Sequence, residues 1–174
     1  MRDERKEERG TGKDAPPSAA DGRPSLAEIW KWLEEVPDPE IPVLSVVDLG
    51  IVRDLAWEGE TLVVTLTPTY TACPATTVIA LDIERALTAR GIARLRIARR
   101  LSPPWTTAWI SAEGHEKLRR YGIAPPRAPG EGRVPCPQCG SEDTEMISPF
   151  GSTPCKALFR CRTCLEPFDH FKCH

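Results

Sequence analysis

Two Cys-x-x-Cys units, Cys136-Pro-Gln-Cys139 and Cys161-Arg-Thr-Cys164, stand 21 residues apart near the C-terminus. No other feature restricts the fold so tightly. Each unit is a turn that aims two sulfurs at one point. Two such turns close a tetrahedral four-cysteine site, and the chain between them returns as a strand pair. A module this small, with few large apolar groups, cannot hold a core unaided, whereas a structural zinc supplies about 10–16 kcal/mol. The spacing predicts a four-cysteine zinc ribbon over 135–174, with iron as the other metal this set accepts. A redox pair is the competing reading, but that calls for one Cys-x-x-Cys at a helix start following a strand. Cys155, Cys173, His170 and His174 remain. They are small buried or surface residues, or further ligands, with Cys155 and Cys173 the candidates to replace or extend the metal set.

With 174 residues there is room for one ordinary domain beside this appendage. Lys and Arg number 23 against 25 Asp and Glu, a formal charge of −2, which gives no electrostatic ground for nucleic acid or an anionic membrane as partner. Residues 135–174 carry four basic side chains against five acidic ones, so the ribbon is a poor phosphate binder. No apolar run approaches the roughly 18–20 residues that span a bilayer. Residues 1–13 are charged and lack an apolar core, so a secretory signal is not expected. Seven cysteines without an export signal fit a reducing cytoplasm, where clustered thiols hold metal.

Residues 1–24 form a tail with six basic and six acidic side chains and almost nothing to bury, expected to be disordered. Order is expected from Ser25, where Ser25 and Glu28 make a capping box for a helix with Leu26, Ile29, Trp30 and Leu33 on one face. Pro37 and Pro39 stop it. Residues 46–57 lead to a hairpin turn at Glu58-Gly59-Glu60. Leu62, Val64 and Leu66 then alternate with Val63, Thr65 and Thr67 as a strand that ends at Pro68. A helix is predicted over about 74–90, with Val78, Ile79, Ile83, Ala86 and Leu87 as its core stripe and Gly91 beyond its end. Leu95, Ile97 and Leu101 alternate with Arg94, Arg96 and Arg100 as a strand with a basic outer face, solvated or docked to an acidic partner. An extended piece over 105–110 and a last helix over 111–121 complete an α-β-β-α-β-α order. That order predicts an α+β domain, 25–121, with helices packed on a small mixed sheet. Residues 122–134, rich in Pro and Gly, read as a linker to the ribbon at 135–174.

Cys73 stands apart from the ribbon and directly precedes Pro74, a favoured first-turn residue. That places its thiol near a helix N-terminus, where unpaired N–H groups and the positive helix end stabilise a thiolate. Thr71, Thr76 and Thr77 add hydroxyls nearby. A buried, inert cysteine is the alternative. Asp38, Glu40 and Asp48 are loop carboxylates upstream, either turn-capping groups or acid–base participants. His115 reads as a surface helix residue.

Asp38-Pro-Glu-Ile-Pro42, Val47-Asp-Leu-Gly-Ile-Val52, and residues 65–74 with Thr71-x-Cys73-Pro74 resemble the SufT-like family of metal–sulfur cluster assembly domains, over about 25–121. With a ribbon containing Phe150-Gly-Ser-Thr-Pro-Cys155 and Glu166-Pro-Phe-Asp-His170, the whole resembles the PaaD family. That family is encoded with phenylacetyl-CoA epoxidase, the multicomponent oxygenase of aerobic phenylacetate breakdown. The resemblance implies an accessory, cytoplasmic maturation protein rather than a catalyst. Its clients would be the epoxidase reductase, with a ferredoxin-type cluster, or the di-iron oxygenase subunit. The family's reactive cysteine falls on Cys73, as ligand for transient iron or an Fe–S cluster. The family's acidic motifs fall on Asp38, Glu40 and Asp48, with Thr71 beside the thiol. Clusters want four protein ligands, so a homodimer or a client surface would complete the shell. The competing readings are a structural subunit of the epoxidase complex and a thiol enzyme using Cys73, which lacks an evident base.

Overall fold

Ser25 starts the first helix as its pattern predicts. In the computed structural model, which describes residues 22–69, 75–127 and 132–172, Ser25 Oγ accepts the Glu28 N–H at 3.2 Å. Glu28 Oε2 in turn accepts the Ser25 N–H at 2.8 Å, closing the capping box of α1 (Leu26–Leu33). Ile29 and Leu33, four apart on one face, are wholly buried. Irregular turns carry the chain to β1 (Val52–Glu58), which pairs antiparallel with β2 (Thr61–Leu66). After α2 (Ala75–Ala89) the chain returns as β3 (Leu95–Arg99), parallel to β2, giving a sheet of order β1-β2-β3. β2 is central, and Leu62, Val64 and Leu66 are fully buried against the core-facing residues Ile79, Ile83 and Leu87 of α2. Val78, expected in that stripe, is 44% exposed, because the face that packs on the sheet recurs every four residues from Ile79.

Residues 105–110 are not extended as expected. They contain a 3-10 turn, Thr107–Trp109, capped by Thr106, whose hydroxyl accepts the Ala108 N–H at 3.0 Å. α3 (Ala112–Arg120) follows, with Ser111 as its N-cap. β3 stops at Arg99, so Leu101 lies beyond the strand and is exposed. The basic face is partly neutralised within the fold: Arg94 pairs with Glu60 and Arg96 with Glu58 of the facing hairpin.

The stretch 122–134, read as a linker, opens with a strand. β4 (Ile123–Ala124) runs parallel to β7 (Pro167–Phe171), and β7 pairs antiparallel with β6 (Lys156–Cys161), which pairs with β5 (Thr144–Ser148). The ribbon is thus a four-stranded mixed sheet, β4-β7-β6-β5, rather than the strand pair expected. It is packed onto the first sheet's core. Phe171, at the end of β7, is 1% exposed, and its ring lies 6.1 Å from that of Trp105. Apolar burial, invisible in the Pro/Gly composition, joins the two parts. At the other end Arg23, inside the stretch read as tail, lies over the Trp57 ring at 5.2 Å. Among the described residues, no helix is long and apolar enough to cross a membrane.

Candidate functional site

The four ribbon cysteines converge. Cys136 and Cys139 precede β5, Cys161 ends β6, and Cys164 follows in the turn to β7. All four sulfurs lie within 4.8 Å of one another. The two knuckles are alike. The residue after each second cysteine is left-handed, Gly140 at φ +76° and Leu165 at φ +66°, and the second turn aims the Cys164 N–H at Cys161 Sγ, 3.4 Å away. Only glycine adopts that conformation freely, so Leu165 is held there by the turn.

The geometry fits a metal. A tetrahedral ion with bonds of about 2.3 Å to sulfur sets its sulfurs about 3.8 Å apart, and the spacings here are 3.7 Å for Cys136–Cys164 and 3.6 Å for Cys139–Cys161. Protonation points the same way. The backbone N–H of Cys164, with that of Thr163 and neighbouring thiols, draws Cys161 down to about 6. The Glu166 N–H favours a thiolate at Cys164, but desolvation and the crowding sulfurs of Cys161, Cys139 and Cys136 outweigh it and push that thiol up to about 12. Four such groups cannot all ionise without a cation among them.

The other leftover residues lie elsewhere. His170 Nδ1 is 3.3 Å from the Ala124 carbonyl and its ring meets Phe159 edge-on, so it ties β7 to β4. Cys173 and His174 lie outside the described residues. Cys155 is not among the converging thiols. It sits just before β6 and faces a cavity of about 20 Å³ where the ribbon meets the first sheet's domain. Sequence spacing gave no signal for this, because only the docking of Phe171 brings Cys155 there.

That cavity lies at the start of α2. Pro68, Thr69 and Thr76 line it from either side of the 70–74 stretch, Asp38, Glu40 and Ile41 from the first loop, and Cys155 and Phe171 from the ribbon. Cys73 and Thr71 themselves lie outside the described residues. Asp38 is 6% exposed. Its Oδ1 accepts the backbone N–H groups of Glu40 at 3.0 Å and Ile41 at 2.8 Å. Burial raises its carboxyl above the ordinary range, against the pull of those two N–H groups and of Lys156. Burial likewise raises the Cys155 thiol, opposed by its 3.0 Å contact with the Thr153 hydroxyl.

Asp48 has a different task. Its Oδ2 accepts from Ser45 N–H at 3.0 Å, Ser45 Oγ at 2.9 Å and Lys117 Nζ at 2.8 Å, and its Oδ1 accepts from Ser111 Oγ at 3.1 Å. Burial would raise its pKa, but these bonds together lower it. The motif around it is clamped as well. Trp105 Nε1 donates to the Leu49 carbonyl at 2.8 Å, and Gly50 has φ +64°, with its Cα so near the Trp109 backbone that a Cβ would stand 2.5 Å from the Trp109 oxygen. Asp-Leu-Gly thus fastens α3 and the 3-10 turn to the loop before β1. His115 lies on α3, its pKa lowered by burial and by Arg119, and is not among the cavity's lining residues.

Residues 26–91 match the family described as iron–sulfur cluster assembly protein, and residues 125–172 match the PaaD zinc beta ribbon domain. Fold and site therefore define an iron–sulfur cluster assembly domain carrying a zinc ribbon. An Escherichia coli (strain K12) protein, named as a subunit of a "Putative 1,2-phenylacetyl-CoA epoxidase", is 48% identical over 157 residues, covering 86% of this chain and 94% of its own length. The chain belongs to the family of that protein, the PaaD family. Among solved structures, it resembles a domain of unknown function, DUF59, from Bacillus anthracis (28% identity, TM-score 0.49, 53% of this chain and 89% of that one). It also resembles a conserved hypothetical protein from Thermotoga maritima (30% identity, TM-score 0.48, 55% of this chain and 95% of that one).

Proposed function

We propose that this chain is a cytoplasmic accessory protein of a phenylacetyl-CoA epoxidase system, assisting iron–sulfur or di-iron centre maturation of the reductase or oxygenase subunit. The observation that carries this reading is the likeness to the E. coli epoxidase protein, which spans 86% of the chain and so takes in both the assembly domain and the ribbon. Zinc is the structural ion of Cys136, Cys139, Cys161 and Cys164, supported by the sulfur spacing and by the zinc ribbon match. Cys73 is the thiol that engages iron or a cluster as cargo. Support comes from its place two residues before α2 begins at Ala75, where first-turn N–H groups and the helix end favour a thiolate. Thr69 and Thr76, on either side of it in sequence, line the cavity with Asp38 and Glu40. Thr71, two residues before Cys73 in sequence, supplies a hydroxyl to the same segment, and Asp48 braces the scaffold. A client surface or a second copy of the chain completes the ligand shell.

The test is coexpression of the reductase with wild-type chain or with Cys73→Ala, scored as iron and labile sulfide per reductase. Occupancy falling by half or more in the variant is expected, and equal occupancy removes the role of Cys73. A second reading, a structural component of the complex, is favoured by the word "subunit" in the relative's name. Stable stoichiometric co-elution with the oxygenase, with unchanged metal content in the clients, would select it.

A further inference from the structure

We propose that the open face of the β1-β2-β3 sheet docks a second copy of this chain across a two-fold axis along β2, laying the acidic column of each copy on the basic column of the other.

One face of the sheet is taken. Leu55, Leu62, Val64 and Leu66 are buried in the core, and the buried apolar side chains of α1, α2 and α3 all join that core. Strand alternation turns the residues between them to the opposite face, where no helix packs among the described residues. Val63 shows how that face is built. It is 6% exposed, yet it is not part of the core. The 2.7 Å bridge from Arg96 of β3 to Glu58 of β1 spans the middle strand and covers it.

The charge on this face stands in two columns. β1 presents Asp54 and Glu58, and β3 with its flanks presents Arg94, Arg96 and Arg100. Between them β2 presents Thr61, Val63 and Thr65, with no charge at all. Arg96 and Arg94 already meet Glu58 and Glu60. The side chains of Asp54 and Arg100 have no ion pair or hydrogen bond among the described residues.

Register decides how a second copy sits. Asp54 stands across from Thr65, and Thr65 across from Ala98, so Asp54 and Ala98 lie at one level on the two outer strands. A two-fold axis along β2 exchanges those strands. It sets Asp54 of each copy over Ala98 of the other, between Arg96 and Arg100. An axis across the strands would instead set β1 on β1, acid on acid. An acidic partner of another kind would gain from the arginines and be repelled by Asp54 and Glu58, whereas a second copy uses both columns. Three strands of about five residues make a face of about 14 Å by 17 Å. That is small against the roughly 800 Å² per partner of a stable complex, so the pair is transient and sensitive to salt. β2 runs the same way in both copies. Both chains therefore leave the sheet at Pro68 on one end of the pair, about 10 Å apart, with Cys73 five residues further on in sequence. This last consequence alone rests on the maturation reading, in which a second copy completes the ligand shell.

Analytical ultracentrifugation of the zinc-loaded full-length protein, from about 10 µM to about 1 mM, is the test. A reversible monomer–dimer equilibrium is expected, weakened several-fold as salt rises from about 50 to about 500 mM. Asp54→Arg and Arg100→Asp each bring like charges together, and each should weaken self-association by about tenfold or more. Both positions are exposed, so neither change disturbs the core. Mixed one to one, the two variants should pair again to within about threefold of the wild-type affinity, because each new charge then meets its opposite on the other chain. A chain monomeric at about 1 mM, single variants that associate like the wild type, or a mixture that stays monomeric overturns the proposal. So does a monomeric chain that binds polyglutamate through Arg100, which assigns the face to an acidic partner. Client metal content does not enter, so failure here leaves the maturation reading standing, and equal client occupancy with Cys73→Ala leaves the dimer standing.

Discussion

Phe171 offers the sharpest test of how the ribbon is held. It is the last residue of β7, 1% exposed, and it sits in the core that Ile29, Leu62 and Ile83 share in the assembly domain, against Trp105. Truncating a fully buried phenylalanine costs about 3–5 kcal/mol. Its tilted pairing with Trp105 contributes about 0.5–1.5 kcal/mol of that. Phe171→Ala is therefore expected to lose about 4 kcal/mol, a large share of the roughly 5–15 kcal/mol typical of a domain. In a chain of this size that lowers the melting temperature by about 8–16 °C. The assay is urea unfolding of zinc-saturated protein followed by tryptophan fluorescence, with alkylation of Cys155 as a second readout. Both should move together, because losing Phe171 frees the ribbon and opens the cavity. Phe171→Leu keeps most of the volume and should cost about 1–1.5 kcal/mol. If Phe171→Ala costs under about 1 kcal/mol and Cys155 stays as slow to alkylate, the ribbon is not anchored through this residue.

Asp48 governs the acid limb of stability. Its folded pKa is lowered, so it contributes stability above its unfolded value of about 3.9, and this is lost as pH falls through the folded pKa. Asp48→Asn should flatten the decline of the urea midpoint between about pH 5 and pH 2, and an unchanged slope would contradict this. Gly50→Ala should cost about 2 kcal/mol or more, about 1–2 kcal/mol from the left-handed backbone and the rest from the clash with Trp109. Wild-type stability in this variant would mean the turn relaxes freely. Removing metal with a chelator at neutral pH should expose 135–174 to protease and erase near-ultraviolet dichroism from the ribbon aromatics. A resistant ribbon would show that the four thiols do not hold a structural ion.

Much of the fold was legible because the local signals agree with the packing. The capping box at Ser25, the alternation through Leu62, Val64 and Leu66, and the apolar spacing of α2 each describe an element that buries the face its sequence marks. The four-thiol cluster was legible because its two turns act locally. Three features were not. β4 has only two residues and pairs with β7 across 46 positions of sequence, so no local pattern reveals it. The 3-10 turn at Thr107–Trp109 is set by Trp105 and Trp109 reaching back to the Asp-Leu-Gly loop. Cys155 reads as a structural residue or a further ligand of the ribbon metal, and only the seating of Phe171 carries it to the cavity instead.

The two aspartates of the acidic motifs show why residue type alone could not assign the site. Both are nearly buried and both lie in turns, yet their surroundings drive them in opposite directions. Asp48 meets Lys117, Ser45 and Ser111, so its charge is fully compensated and its work is to fasten α3. Asp38 meets only two backbone N–H groups on one oxygen, and burial raises its carboxyl. A carboxylate already saturated by its own fold has nothing left for a cation. Loss of function in Asp48→Asn should therefore follow loss of stability, whereas Asp38→Asn, which keeps the Oδ1 acceptor of both N–H bonds, should leave the urea midpoint near that of the wild type.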